Sequence, residues 1–154
     1  MLKKVSLLIL FLLMTSCGYE SINGKKNMVK YYFSISELKF EGDRNINLKI
    51  KEKLNNYTLK QKDKNFVLKI KTSSEKVILA RNVSGDPTSF KITVTIFIDT
   101  FIKGDIKKIL KIEESFNYSN DNNKFDLKKY EREIKNNLAE SSSEKLILKL
   151  SNIQ

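Results

Sequence analysis

The chemistry of this sequence starts at its single cysteine. Cys17 closes the run Met14-Thr15-Ser16-Cys17 and precedes Gly18; Lys3, Lys4 and the apolar stretch 5–14 lie before it. A basic start, a short apolar stretch and small residues ahead of a cut site make an export signal. Thr15 and Ser16 fit a narrow peptidase pocket. A thiol placed directly behind them can take a diacylglyceryl group before cleavage leaves Cys17 as the new N-terminus. The stretch 5–14 is too short to cross a bilayer core, which takes about 20 residues. Each buried acyl methylene contributes about 0.8 kcal/mol, so two or three chains on Cys17 make a lasting anchor. The expectation is a lipidated Cys17 that tethers the chain to a membrane.

Other chemistry is excluded by what the chain lacks. There is no histidine, and an acylated Cys17 leaves no thiol for a disulfide, a redox pair or a zinc site. No glycine-rich phosphate loop, nucleophile elbow or carboxylate cluster with metal-ligand spacing occurs. Glu113-Glu114 is the one adjacent acidic pair, and neighbours in a strand point to opposite faces. The chain therefore reads as a non-enzyme with no cofactor and no metal. Its formal charge of +11 invites anionic partners such as phosphate or lipid headgroups. Nucleic acid is a poor candidate for an exported, membrane-tethered chain, and the abundance of Lys, Asn and Ile is what AT-rich codons dictate. Arginine occurs only at Arg44, Arg81 and Arg132 among 29 basic residues. Arg81 is singled out because it ends a strand pattern beside Asn82, and its planar fork matches phosphate or carboxylate as lysine cannot.

The elements that must position these residues follow from periodicity. A leader occupies 1–16 and a polar, aperiodic tether 17–30; one domain spans 31–152. YYFSISEL (31–38) alternates as a strand. Glu41-Gly42-Asp43 reads as a turn, with Asp43 as N-cap of a helix of about 14 residues whose face carries Ile46, Ile50, Leu54 and Tyr57. FVLKIKTSSEKVILAR (66–81) is a long strand, or two with a bulge near 72–74. Gly85, Asp86 and Pro87 sit in a polar loop. SFKITVTIFIDTFI (89–102) alternates cleanly, with Phe90, Ile92, Val94, Ile96 and Ile98 on one face. Lys103-Gly104-Asp105 turns it into IKKILKIEESFNY (106–118). After the capping-rich loop 120–123, Ile134, Leu138, Ser142, Leu146 and Leu150 form a ridge extended by Leu127 and Tyr130, a helix over 126–150. The order is β-α-β-β-β-α. It predicts an α+β two-layer sandwich, a four-stranded mixed sheet with two helices on one face.

Several stretches together carry a family likeness: CGYE (17–20), ARNVSG (80–85), SFKITVTIFI (89–98), SFNYSND (115–121) and AESSSEKLILKL (139–150). With the element order, they resemble the LptE family, lipopolysaccharide-assembly lipoproteins of the Gram-negative outer membrane. The likeness runs over nearly the whole chain beyond the leader. It implies a protein that sits as a plug inside the LptD outer-membrane barrel, assists its assembly and binds lipopolysaccharide on its way to the outer leaflet. It implies that Arg81, which matches the family's basic residue at the strand-to-loop tip, contacts the glycolipid. Lys124 is the nearest candidate for a second basic residue in the later loop. Gly18 after the lipidated cysteine is compatible with sorting to the outer membrane, facing the periplasm. The lipobox and a small α+β domain would equally serve a periplasmic ligand-binding or envelope-scaffold lipoprotein with no barrel partner.

Overall fold

The computed structural model describes residues 32–59 and 62–153. The leader, Cys17 and the tether lie outside the described residues. The elements are β1 (Ser34–Gly42), α1 (Arg44–Leu54) with a 3-10 turn (Asn55–Tyr57), β2 (Asn65–Arg81), β3 (Pro87–Ile102), β4 (Asp105–Ser119) and α2 (Lys124–Ser151). The four strands form one sheet in the order β1-β2-β3-β4. β1 and β2 are parallel because α1 carries the chain back between them, and the remaining ladders are antiparallel. This is the expected β-α-β-β-β-α mixed sheet with two helices.

One face of the sheet makes the core. Phe66, Leu68 and Ile70 of β2 and Phe90, Ile92, Val94, Ile96 and Ile98 of β3 are buried beneath the helices. The intervening Lys69, Lys71, Lys91 and Thr93 take the other face, as period-two alternation requires. Ile46, Ile50 and Leu54 bury the inner face of α1, and Leu127, Ile134, Leu138, Leu146 and Leu150 that of α2. Tyr130, placed on the same ridge by spacing, is 45% exposed because it lies at the helix flank beside β4. Ala139, Ser142 and Ser143 are fully buried on α2; their small size lets a second backbone approach closely. The Ser143 hydroxyl donates to Ala139 O at 2.7 Å, whereas the buried Ser142 hydroxyl has no partner among the described residues.

The boundaries differ from the periodic reading at several points. β1 runs on through Glu41 and Gly42, because Gly42 keeps its pairing with Thr72 while its φ of 95° turns the chain toward α1. Asp43 caps α1 as expected, its carboxylate accepting from Asn45 N and Ile46 N at 3.0 and 3.3 Å. α1 gives way to the 3-10 turn before Tyr57, so the Tyr57 ring reaches Phe33 by stacking at 4.8 Å rather than from an α-helical face. Pro87 belongs to β3; a proline can open a strand, where its missing N–H breaks no ladder. β2 is one strand, with its bulge between Ile78 and Ala80 instead of near 72–74.

Candidate functional site

β2, β3 and β4 all extend past the end of β1, whose ladder stops at Gly42 opposite Thr72. At that far end, β2 turns into β3 through the loop 82–86. Loop residues fasten it. Asn82 Oδ1 accepts from Ser84 N at 3.0 Å and Asp86 N at 2.8 Å, Asn82 N donates to Asp86 O, and Gly85 N donates to Asn82 O. Gly85 sits at φ 88°, the left-handed region where glycine is free of Cβ strain. Arg81 Nη1 donates to Gly85 O at 2.7 Å and braces the loop from inside. A guanidinium has five donors, so this single bond fixes the group while leaving most of the fork available at an exposed position. Val83 is wholly exposed at the tip.

Lys124 proves to be the first residue of α2 rather than part of the preceding loop. Its Nζ donates to Asn120 Oδ1 at 3.2 Å and Asp121 O at 3.0 Å. Asn120 in turn donates through Nδ2 to Pro87 O at 2.7 Å and through its backbone N to Thr88 O at 2.8 Å. Pro87 is the residue opposite Arg81 in the β2–β3 ladder. The structure thus brings the two basic residues singled out from the sequence to one end of the sheet, linked through Pro87 and Asn120. Asn123 caps α2 there, accepting from Phe125 N and Asp126 N.

A cleft of about 410 Å³ opens beside this end, between β4 and the start of α2, lined by Phe116, Tyr118, Asn120, Asp121, Asp126 and Tyr130 among others. Its charged lining residues are the acids Asp121 and Asp126. The cleft therefore offers no cationic lining residue to an anionic group.

Beneath the tip lies a polar latch that periodicity did not reveal. Lys76 of β2 reaches the core face, where its Nζ meets Glu131 Oε1 of α2 at 2.5 Å and stands 3.8 Å from the Phe90 ring centroid. Tyr118 of β4 donates to the same Glu131 oxygen at 2.7 Å. Burial raises the Glu131 carboxyl, but hydrogen bonds from Lys76 and Tyr118 and the charges of Lys76 and Lys135 outweigh it and hold the group below its ordinary 4.5. Burial first, and then the bond to Glu131, push the Tyr118 phenol well above its ordinary 10.0. A signal for the latch exists in the sequence: Lys76 falls on the core phase of β2, and Glu131 lies within one turn of both Leu127 and Ile134. A carboxyl lowered in the folded state stabilises the fold above its unfolded value, and that contribution fades as pH falls through the folded one. Glu131→Gln is expected to cost about 1 kcal/mol at pH 7. Thermal melts between pH 7 and 3 should show a shallower loss of stability below pH 4.5 than in the wild type.

Glu113 and Glu114 do not cooperate. Glu114 pairs with Lys145 of α2, whereas Glu113 pairs with Lys111 of its own strand at 2.7 Å. Among the described residues no group of three or more histidine, cysteine or acidic side chains could hold a metal ion. No helix among them is long and apolar enough to cross a membrane.

No protein-family model and no curated protein sequence matches the chain. Solved structures do. The crystal structure of rare lipoprotein B from Shewanella oneidensis superposes with a TM-score of 0.56 at 17% identity, over 73% of this chain and 91% of that one. A minor lipoprotein from Acinetobacter baumannii gives 0.61 at 12% identity, over 79% and 91%. The solution structure of lipoprotein B from Nitrosomonas europaea gives 0.54 at 11% identity, over 83% and 90%. The fold is one that bacterial lipoproteins use. Since nearly the full length of each of those chains is covered, the shared unit is the whole α+β layer arrangement and not a common hairpin.

Proposed function

We propose that this chain is an outer-membrane lipoprotein of the LptE kind, anchored through Cys17 and facing the periplasm, which plugs an LptD-like barrel and binds lipopolysaccharide during export. The observation that carries the reading is the end of the sheet to which a preorganised hairpin brings Arg81 and the start of α2 brings Lys124. Its support is a fold matched over about nine-tenths of structures described as lipoproteins. A loop locked by Asn82 and braced by Arg81 presents a fixed cationic fork. Charge-assisted bonds from such a fork to phosphate are about twice as strong as neutral ones. Val83, Val77, Ile78 and Leu79 are exposed around it, so the tip pairs a phosphate-binding group with apolar contact. An amphipathic anionic glycolipid presents both.

The prediction is quantitative. Arg81→Glu should weaken binding of purified lipopolysaccharide by about ten- to hundredfold, the scale of one charged hydrogen-bonded pair. Lys124→Glu should cost less, because Lys124 also spends hydrogen bonds on Asn120 and Asp121. Titration of a labelled glycolipid against each variant, with circular dichroism to verify folding, checks this. Unchanged binding by a folded Arg81→Glu variant would remove the tip from the account.

A further inference from the structure

The end of the sheet opposite Arg81 is where the chain enters the domain. β1 and β2 both start there, with Ser34 beside Asn65, and the β3–β4 turn at Lys103-Gly104 closes it, since Val67 pairs with Phe101. Positive charge collects at this end. The described part of the loop before β2 carries Lys62 and Lys64 against Asp63, and the turn with the start of β4 carries Lys103, Lys107 and Lys108 against Asp105. Lys64 is engaged, its Nζ donating to Ser151 O at 3.3 Å. Lys103, Lys107 and Lys108 are exposed and form no ion pair among the described residues. Between the two basic segments lies a depression of about 640 Å³, lined by Lys62, Asp63 and Lys103 among others.

Apolar side chains stand among these lysines. Tyr32, Leu59 and Ile106 are 87%, 72% and 60% exposed, and the Lys62 ammonium lies 5.1 Å from the Tyr32 ring centroid. Ile106 sits opposite Phe101, and Lys107 is the residue bulged out beside it. This mixture suits a lipid surface, where tyrosine and aliphatic groups enter the headgroup boundary while ammonium groups meet phosphates. A small soluble anion would use the lysines and leave the apolar groups in water. The path of the chain supplies a second argument. Residues 18–31 join this end to Cys17, and even fully extended they reach only about 50 Å. β2, with 17 residues, is about as long. An acylated Cys17 therefore keeps this end within reach of the bilayer, whereas the Arg81 tip lies a strand's length further on.

We propose that this end of the sheet docks on the anionic headgroup layer of the membrane that holds Cys17, with Tyr32, Leu59 and Ile106 at the headgroup boundary and Lys103, Lys107 and Lys108 on lipid phosphates. The proposal rests on the lipidated-anchor reading and adds an orientation to it. A plug can make the same contact, because the leaflet that takes the acyl chains also surrounds the mouth of a barrel. Each lysine at an anionic surface strengthens the hold by about fivefold. The contact orients a domain that the acyl chains retain and does not replace them.

The chain contains no tryptophan, so a single one reports depth. The full acylated chain carrying Tyr32→Trp, or Phe125→Trp at the other end of the sheet, is reconstituted into vesicles of phosphatidylethanolamine and phosphatidylglycerol with brominated acyl chains, which quench a tryptophan in contact with them. Emission of the Tyr32→Trp chain is expected to fall about twofold, as for an aromatic ring at the headgroup level, and that of the Phe125→Trp chain to stay unchanged. Adding Lys103→Glu, Lys107→Glu and Lys108→Glu should restore most of the emission. So should vesicles of brominated phosphatidylcholine alone, or about 1 M salt, where the screening length falls to about 3 Å. Circular dichroism verifies folding, and the lipid and salt arms stand without the triple variant. Quenching of the Tyr32→Trp chain that ignores anionic lipid and salt reports the tether alone and overturns the proposal. Equal quenching of the two chains overturns it as well, since the domain then has no preferred end. Mass spectrometry of the same preparation separates the failures. An unmodified Cys17 brings down the anchor and this contact together, whereas an acylated chain without charge-dependent quenching fails the contact alone.

Discussion

Replacing Gly42 with alanine is expected to lower the melting temperature by about 10 °C. Two effects coincide at this residue. Its φ of 95° lies in the left-handed region, which costs an L-residue about 1–2 kcal/mol. A Cβ there would also stand 1.9 Å from Thr72 O and 2.9 Å from Thr72 C, atoms of a neighbouring backbone that has no side-chain freedom to yield. Thr72 is itself held, its hydroxyl bonding to Asn47 Oδ1 at 2.7 Å and its carbonyl accepting from Asp43 N. Relief therefore requires moving the junction between β1, β2 and α1 together. A total of about 3 kcal/mol follows, and for a domain of this size each kcal/mol shifts the midpoint by about 3–5 °C. Thermal unfolding of Gly42→Ala measures it. Gly85 and Gly104 also have positive φ, yet a Cβ at either meets nothing within 4 Å, so alanine there should cost only the backbone term. A Gly42 variant no worse than the Gly85 variant would show that the close approach carries no energy.

The second large effect concerns the anchor. With its leader exchanged for an export leader that needs no cysteine, and with Cys17→Ala, about nine-tenths of the protein should move from the membrane to the soluble periplasmic fraction. The exchange of leader matters, because an uncleaved leader would hold the chain on the membrane by its own apolar stretch and hide the result. Two or three acyl chains at about 0.8 kcal/mol per buried methylene far exceed the marginal hold of a single chain. The described residues include no helix that could replace them. Fractionation followed by mass spectrometry of the N-terminal peptide reads out both location and acylation. Retention of the non-acylated domain in the membrane would mean that its surface, not Cys17, supplies the attachment.

The sheet was legible because its strands obey one rule over long stretches. Phe90, Ile92, Val94, Ile96 and Ile98 alternate without a break, and Lys103-Gly104 adopts the positive φ pair, 52° and 91°, that a tight hairpin between twisted strands needs. Asp43 announces its helix, and the loop 120–123 the other, because an N-cap is a local hydrogen-bonding requirement; which loop residue caps, Asn123, and that the helix opens at Lys124 appear only in the fold. What stayed hidden depends on long-range partners. Gly42 could be recognised as turn-like, but only Thr72, far along the chain, shows that it also pairs as a strand residue. The bulge in β1 beside Ser36 has no local marker; a side-chain bond from Ser36 to Phe66 O accompanies it. At the candidate site, Arg81 stood out by rarity and position, whereas its bracing contact with Gly85 and its neighbourhood with Lys124 arise only once β3 and β4 are aligned. Lys76, Tyr118 and Glu131 come from three elements, and no local pattern joins them.

Central to the functional account is a tethered plug that acts through a barrel partner. The most direct measurement is purification of the tagged, lipidated chain from native membranes in mild detergent, with the mass and identity of what accompanies it. The account predicts a stable complex with a large outer-membrane β-barrel of the LptD kind, in which each barrel holds one copy. Recovery of the chain with no barrel protein, while an intact barrel of that kind is present in the same membranes, would contradict it.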